Sequence, residues 1–108
     1  MTLRKIQDEV DKWITNYGVR YFNELTNLGL LMEEVGELAR IITREYGEQS
    51  SKPSEQKEGL GNEMADILFV LICLANQTGI DLEKAISENL KKKTLRDSQR
   101  HRSNPKLL

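Results

Sequence analysis

The sequence predicts an all-α protein, an antiparallel bundle of about four helices assembled as a homo-oligomer. Apolar residues recur at helical rather than alternating spacing, beginning with Leu3, Ile6, Val10, Trp13, Ile14 and Tyr17. Glycines and capping residues divide that pattern into four segments. Within the third, nine consecutive residues, Ile67 to Ala75, are apolar all the way round, more than three neighbouring helices of a small bundle are expected to cover, so a second copy is expected to cover the rest.

The first helix ends at Gly18, and the link "VRYFNEL" leads into a second helix over about 25 to 46, with Gly47 suited to a left-handed C-terminal cap. "GEQSSKPSEQ", polar and containing Pro53, reads as a surface loop with Ser54 as N-cap of the next helix. A third helix over about 57 to 78 is closed by Gly79. Asp81 is placed to cap a fourth, which continues through "LEKAISENLKKKTLR" before decaying into a flexible polar tail, 97–108. Residues 1–108 are expected to form one domain, since no repeat or second periodicity appears.

Charged residues make up 31% of the 108-residue chain, but 17 acids nearly balance 16 bases. No global field then points to a nucleic-acid polymer or a membrane surface. The lone cysteine, Cys73, lies in "ILFVLICLA", where a thiol acts as a small hydrophobe of a reducing compartment. The charged N-terminus lacks the apolar core of a signal peptide, and no apolar run approaches the roughly 20 residues of a membrane span. A cytoplasmic protein is expected.

The chemistry lies in the acids. At about 100° per residue, Leu30, Leu31, Val35, Leu38, Ile41 and Ile42 form one arc of the second helix. Glu34 projects into that arc and Glu37 lies at its edge, while Glu33 points the other way. The third helix repeats the device: Glu63 projects between Val70 and Leu74, and Asp66 beside Val70 and Cys73. Unpaired buried carboxylates cost several kcal/mol each. Two matched pairs therefore require a neutraliser, either basic side chains or a hard cation. With no His or Cys among them, carboxylate oxygens suit Mg²⁺ or Mn²⁺ rather than zinc. On the fourth helix Asn89, Lys92, Lys93, Arg96 and Arg100 flank the stripe Leu82, Ile86, Leu90. Such a row can grip phosphates, although bases near a helix C-terminus are also favoured by the macrodipole.

"EEVGE" at 33–37 followed by "EMAD" at 63–66 resembles the EExxE, gap, ExxD signature of the MazG-like nucleotide pyrophosphohydrolases, of the all-α NTP pyrophosphatase superfamily. "ELARII", "DILFVLICLAN" and "KKTLR" are similar to the family's flanks, so the resemblance spans about 5 to 100. It implies Mg²⁺-dependent cleavage of a nucleoside triphosphate between the α and β phosphates, in a homodimer or homotetramer. By position it implies Glu34, Glu37, Glu63 and Asp66 as metal ligands. Lys92 and Arg96 match a KxxxR phosphate-binding element, with Asn89 assisting and Lys93 in reach of the same register. Glu33, Glu37 and Glu63 are then candidates to hold or deprotonate the attacking water. Trp13, Tyr21 and Phe22 are read first as core and link packing, and second as a stacking wall for the base. Competing readings are a phosphoribosyl-ATP pyrophosphohydrolase and a non-catalytic helical oligomerisation module with a structural cation. A ferritin-like redox site is disfavoured, because Glu-x-x-His spacing is absent and the single His101 lies in the tail.

Overall fold

The computed structural model describes residues 1–49 and 58–108. The expected Pro53 loop and Ser54 cap lie outside the described residues. Four α-helices follow one another, α1 (Leu3–Trp13), α2 (Glu24–Tyr46), α3 (Glu58–Gln77) and α4 (Leu82–Arg102), with no strand among the described residues. This is the all-α, four-helix architecture expected.

The starts of α1, α2 and α4 each have a side-chain acceptor for orphan N–H groups. Thr2 accepts from Lys5 N, Asn23 from Thr26 N, and Asp81 from Glu83 N and Lys84 N. The end of α3 is a Schellman turn: Ile80 N donates to Ala75 O at 2.8 Å, Gly79 N donates to Asn76 O, and Gly79 takes φ +71°.

Two other stops differ from expectation. Gly47 is extended, with φ −95° and ψ −162°, rather than left-handed. Glycine is needed there because a Cβ would overlap the Thr43 carbonyl oxygen. After α1 the chain widens into a π-helical turn, Ile14–Gly18, and the positive φ falls on Val19, not Gly18. With φ +70°, ψ −58° and Arg20 N donating to Gly18 O at 2.9 Å, Val19 is the centre of a γ-turn, a strained conformation for a β-branched residue.

The fourth helix also runs further than expected. Residues 97 to 102 continue α4 instead of belonging to a tail, because no Gly or Pro interrupts it before Pro105, and Arg100, His101 and Arg102 suit the negative end of the helix dipole. Asn104 then caps a short 3₁₀ turn, Pro105–Leu107.

The core is small: Val10, Ile14, Ile72 and Cys73, with Ile6, Tyr21, Phe69 and Leu82 packed around them. One buried polar side chain organises its edge. Gln7, 4% exposed, donates to Asn76 Oδ1 (3.0 Å) and Ile80 O (2.9 Å) and accepts from Leu82 N (2.8 Å), tying α1 to the α3–α4 turn. Helix α2 packs chiefly on α3, whereas α4 meets α1 at its start and buries no residue. The radius of gyration, 17.5 Å, exceeds the roughly 13 Å of a compact chain this long. Of the apolar run in α3, Val70, Ile72, Cys73 and Ala75 are buried, but Leu68 and Leu71 remain about two-fifths exposed. Over Gly59–Gln77 the helix is long and apolar enough to cross a membrane by composition alone. It carries the half-buried Glu63 and Asp66 and packs between α1 and α2, with 22% of that stretch buried within the protomer.

Candidate metal centre and active site

Helices α2 and α3 lie side by side, so residues at i, i+3 and i+4 on each line the seam between them. One carboxylate oxygen each from Glu34, Glu63 and Asp66 lies within 4.8 Å of the others, and all three residues are half-buried. Glu63 Oε2 is buried and has no hydrogen-bond partner. Burying an acceptor without a donor is costly. The Glu63 carboxyl is pushed up to about 7, first by the Glu34 carboxylate against which it can hydrogen-bond once protonated, then by burial, then by repulsion from Glu34, Asp66 and Glu37. Three converging carboxylates, one of which has an orphaned oxygen, with no nitrogen or sulfur donor in the cluster, fit a hard divalent cation.

Of the other predicted residues, Glu37 is exposed and its oxygens fall outside the trio, though its charge reaches Glu63. Glu33 is exposed on α2. A second orphaned acceptor, Glu45 Oε2, belongs to α2 eleven residues beyond Glu34, about 16 Å along the axis and beyond the reach of one cation. Asn89, Lys92, Lys93 and Arg96 are exposed on α4. The guanidinium of Arg96 is forked onto its neighbour Asp97, with Nη2 to Oδ2 at 2.7 Å, and that pairing holds the Asp97 carboxyl below its usual range.

Next to the trio, along the same seam, is a largely apolar cavity of about 310 Å³ whose walls include Trp13, Leu30, Phe69, Val70 and Cys73. Leu30 precedes Glu34 by one turn, and Val70 follows Asp66 by one turn. Trp13 meets Phe69 edge to face, centroids 5.6 Å apart. Trp13 and Phe22 are half exposed rather than packed into the core, although Trp13 touches Phe69 of α3 and the Phe22 carbonyl accepts from Gln77 of α3. The feature missed from sequence is Asn27, buried at the cavity wall. It stands seven residues before Glu34, hence on the same face of α2, and that spacing was the available sign.

An all-α chain with a carboxylate trio set between two helices belongs to the class of helical proteins whose seam could hold a hard cation. The comparisons then give the family: the model of the MazG nucleotide pyrophosphohydrolase domain matches residues 22–101. The chain belongs to that family. It is 41% identical over 99 residues to the uncharacterised protein YpjD of Bacillus subtilis (strain 168), covering 92% of this chain and 89% of that one. The crystal structure of that Bacillus subtilis protein superposes with a TM-score of 0.77 over 85% of this chain and 94% of that chain. The crystal structure of the Bacillus-conserved MazG protein, a nucleotide pyrophosphohydrolase, is 37% identical with a TM-score of 0.76, covering 92% of this chain and 96% of that one.

Proposed function

We propose that this protein is a Mg²⁺-dependent nucleoside triphosphate pyrophosphohydrolase, with Mn²⁺ able to substitute, which releases a nucleoside monophosphate and pyrophosphate. The observation that carries the reading is the Glu34, Glu63, Asp66 trio with its orphaned Glu63 oxygen. These residues would hold the cation, with Glu37 joining as the edge ligand. When bound, the cation supplies charge neutralisation and polarisation of phosphate oxygens. A carboxylate oxygen not taken up in holding the cation, on Glu37, Glu63 or the outward Glu33, would hold the water and take its proton as its oxygen bonds to the α phosphorus and the bond to the bridging oxygen breaks. Pyrophosphate leaves with that oxygen.

Phosphate binding falls to Asn89, Lys92, Lys93 and Arg96. Within one protomer they lie on a helix that is anchored at its start and buries nothing, while apolar side chains stay exposed on α2 (Leu28, Met32, Val35) and α3 (Met64, Leu68, Leu71). Association into a homodimer or homotetramer covers those faces and offers α4's cationic row to a neighbour's acids. Removal of unwanted nucleotides in the cytoplasm is the role consistent with such chemistry.

The test is pyrophosphate release from canonical and modified nucleoside triphosphates with Mg²⁺, comparing the native chain with Glu63→Gln. Metal-dependent release lost in the folded variant is expected. Silence across the panel overturns the reading and favours a structural cation in an oligomerisation module.

A further inference from the structure

The cavity beside the acids holds one polar side chain that is buried yet has hydrogen-bonding capacity to spare. Asn27 is 4% exposed and lines the cavity. Its Nδ2 donates to Phe22 O at 3.3 Å and to Gln77 Oε1 at 2.8 Å, so both amide hydrogens are taken. The orientation is forced. Phe22 O is a carbonyl and only accepts, and Gln77 must turn its oxygen to Asn27 because its own Nε2 donates to Phe22 O and to Glu24 Oε1. A flipped Asn27 would set oxygen against oxygen at both contacts. Asn27 Oδ1 is therefore a fixed acceptor, and among the described residues no side chain donates to it.

The remaining polar groups around the cavity offer little competition. The Tyr21 hydroxyl donates to Asp11 Oδ1 (2.6 Å) and accepts from Asn76 Nδ2 (3.0 Å). Arg20 is exposed at the rim and held on the Tyr21 carbonyl at 2.8 Å. Cys73 is a weak donor in a buried wall. The cavity is thus an apolar slot with aromatic edges, and a volume at the small end of ligand sites. From Asn27 to Glu34 along α2 is about 10 Å, a span suited to a base at one end and its α phosphate at the other, with the sugar between.

We infer that the cavity receives the nucleobase and that Asn27 Oδ1 selects bases carrying an exocyclic amino group over their carbonyl counterparts. This inference rests on the pyrophosphohydrolase reading above. An amine completes this acceptor's missing hydrogen bond. A carbonyl in its place sets two oxygens face to face with no donor between them, a mismatch that costs affinity.

Two near-isosteric pairs isolate the effect: CTP against UTP, and ATP against ITP, each exchanging an amine for a carbonyl. With Mg²⁺ and the native protein, kcat/KM for pyrophosphate release is expected to favour the amino member about tenfold or more in whichever pair fits the cavity, which also separates a one-ring from a two-ring base. In Asn27→Ala the ratio falls toward one. Gln77→Met, at a half-exposed position, removes the shorter of the two contacts that fix the Asn27 amide and is expected to lower the same ratio, so the inference stays testable if Asn27→Ala does not fold. Hydrolysis with a ratio near one in both pairs, or a native ratio retained in both variants, overturns the inference alone. No hydrolysis of any of the four while other triphosphates of the wider panel are cleaved also overturns the inference alone; silence across that whole panel overturns the hydrolase reading and this inference with it.

Discussion

Glu34 and Glu63 face each other across the α2–α3 seam closely enough for one proton to serve both carboxylates. Without a cation, that proton is the neutraliser the pair has. The folded-state carboxyl of Glu63 is raised from 4.5 to about 7, so the folded chain holds the proton more tightly than the unfolded chain. The associated stability is full below about 4.5 and is lost as pH rises through 7. In chelator, thermal scans should therefore show Tm falling between about pH 5 and 7.5. Excess Mg²⁺ should remove the fall, because a ligand that binds only the folded state raises its stability. Glu63→Gln in chelator should flatten it. A chelated protein whose Tm is level or rises over this window contradicts the account.

Gln7 makes three hydrogen bonds that close the α3–α4 turn onto α1. Gln7→Ala strands Leu82 N, Ile80 O and Asn76 Oδ1. An unsatisfied buried group costs about 1–3 kcal/mol, but an open polar cleft lined by Gln7, Asn76 and Asp81 admits water, so we expect a net loss of about 2 kcal/mol. That corresponds to roughly 10 °C in Tm for a domain of this size. Differential scanning calorimetry decides, and a shift under about 2 °C would falsify the hub role.

Strain at Val19 gives a prediction of opposite sign. A residue held in a sparsely populated backbone region costs about 1–3 kcal/mol, while glycine's extra unfolded-state entropy costs about 0.5–1 kcal/mol. Val19 is exposed and has no packing to lose. Val19→Gly should raise stability by about 1 kcal/mol in urea titration, whereas Val19→Ala, which keeps a Cβ at φ +70°, should not. Equal effects of the two substitutions count against strain as the cause.

These residues also mark what the sequence made legible. Gly79 as a helix stop and Asp81 as an N-cap read correctly because both are local chemistry, set within three or four residues, whereas the left-handed cap expected at Gly47 is found at Gly79. The trio's Glu34, Glu63 and Asp66 were visible as acids interrupting apolar arcs at helical spacing. Val19 was not, since a γ-turn on a β-branched residue breaks local preference and exists because the rest of the fold holds it there. Gln7 and Asn27 project onto apolar faces just as Glu34 does, but a neutral amide carries no charge penalty to betray its burial. The stripe Ile86, Leu90 on α4 promised contacts that a single protomer leaves unmade, both side chains staying about half exposed. Apolar periodicity fixes a helix and its face, not what lies against it.

Cys73 closes the core beside the cavity, 3% exposed, and burial pushes its thiol up from 9.0 to about 11. At pH 8 both values lie above the solution pH, so the folded protein carries about a hundredfold less thiolate than an ordinary cysteine, and thiolate is the reactive form. Reaction with an aromatic disulfide reagent should be slower than in the unfolded chain by at least that factor, since burial also blocks approach. The raised value stabilises the fold below pH 9 and that contribution is lost as pH climbs through 11, so alkaline unfolding should accelerate labelling in step with loss of helical circular dichroism. Labelling of the native protein at the rate of an exposed thiol, with the helical signal intact, would mean that the Cys73 thiol is neither shielded nor held protonated by its place in the cavity wall.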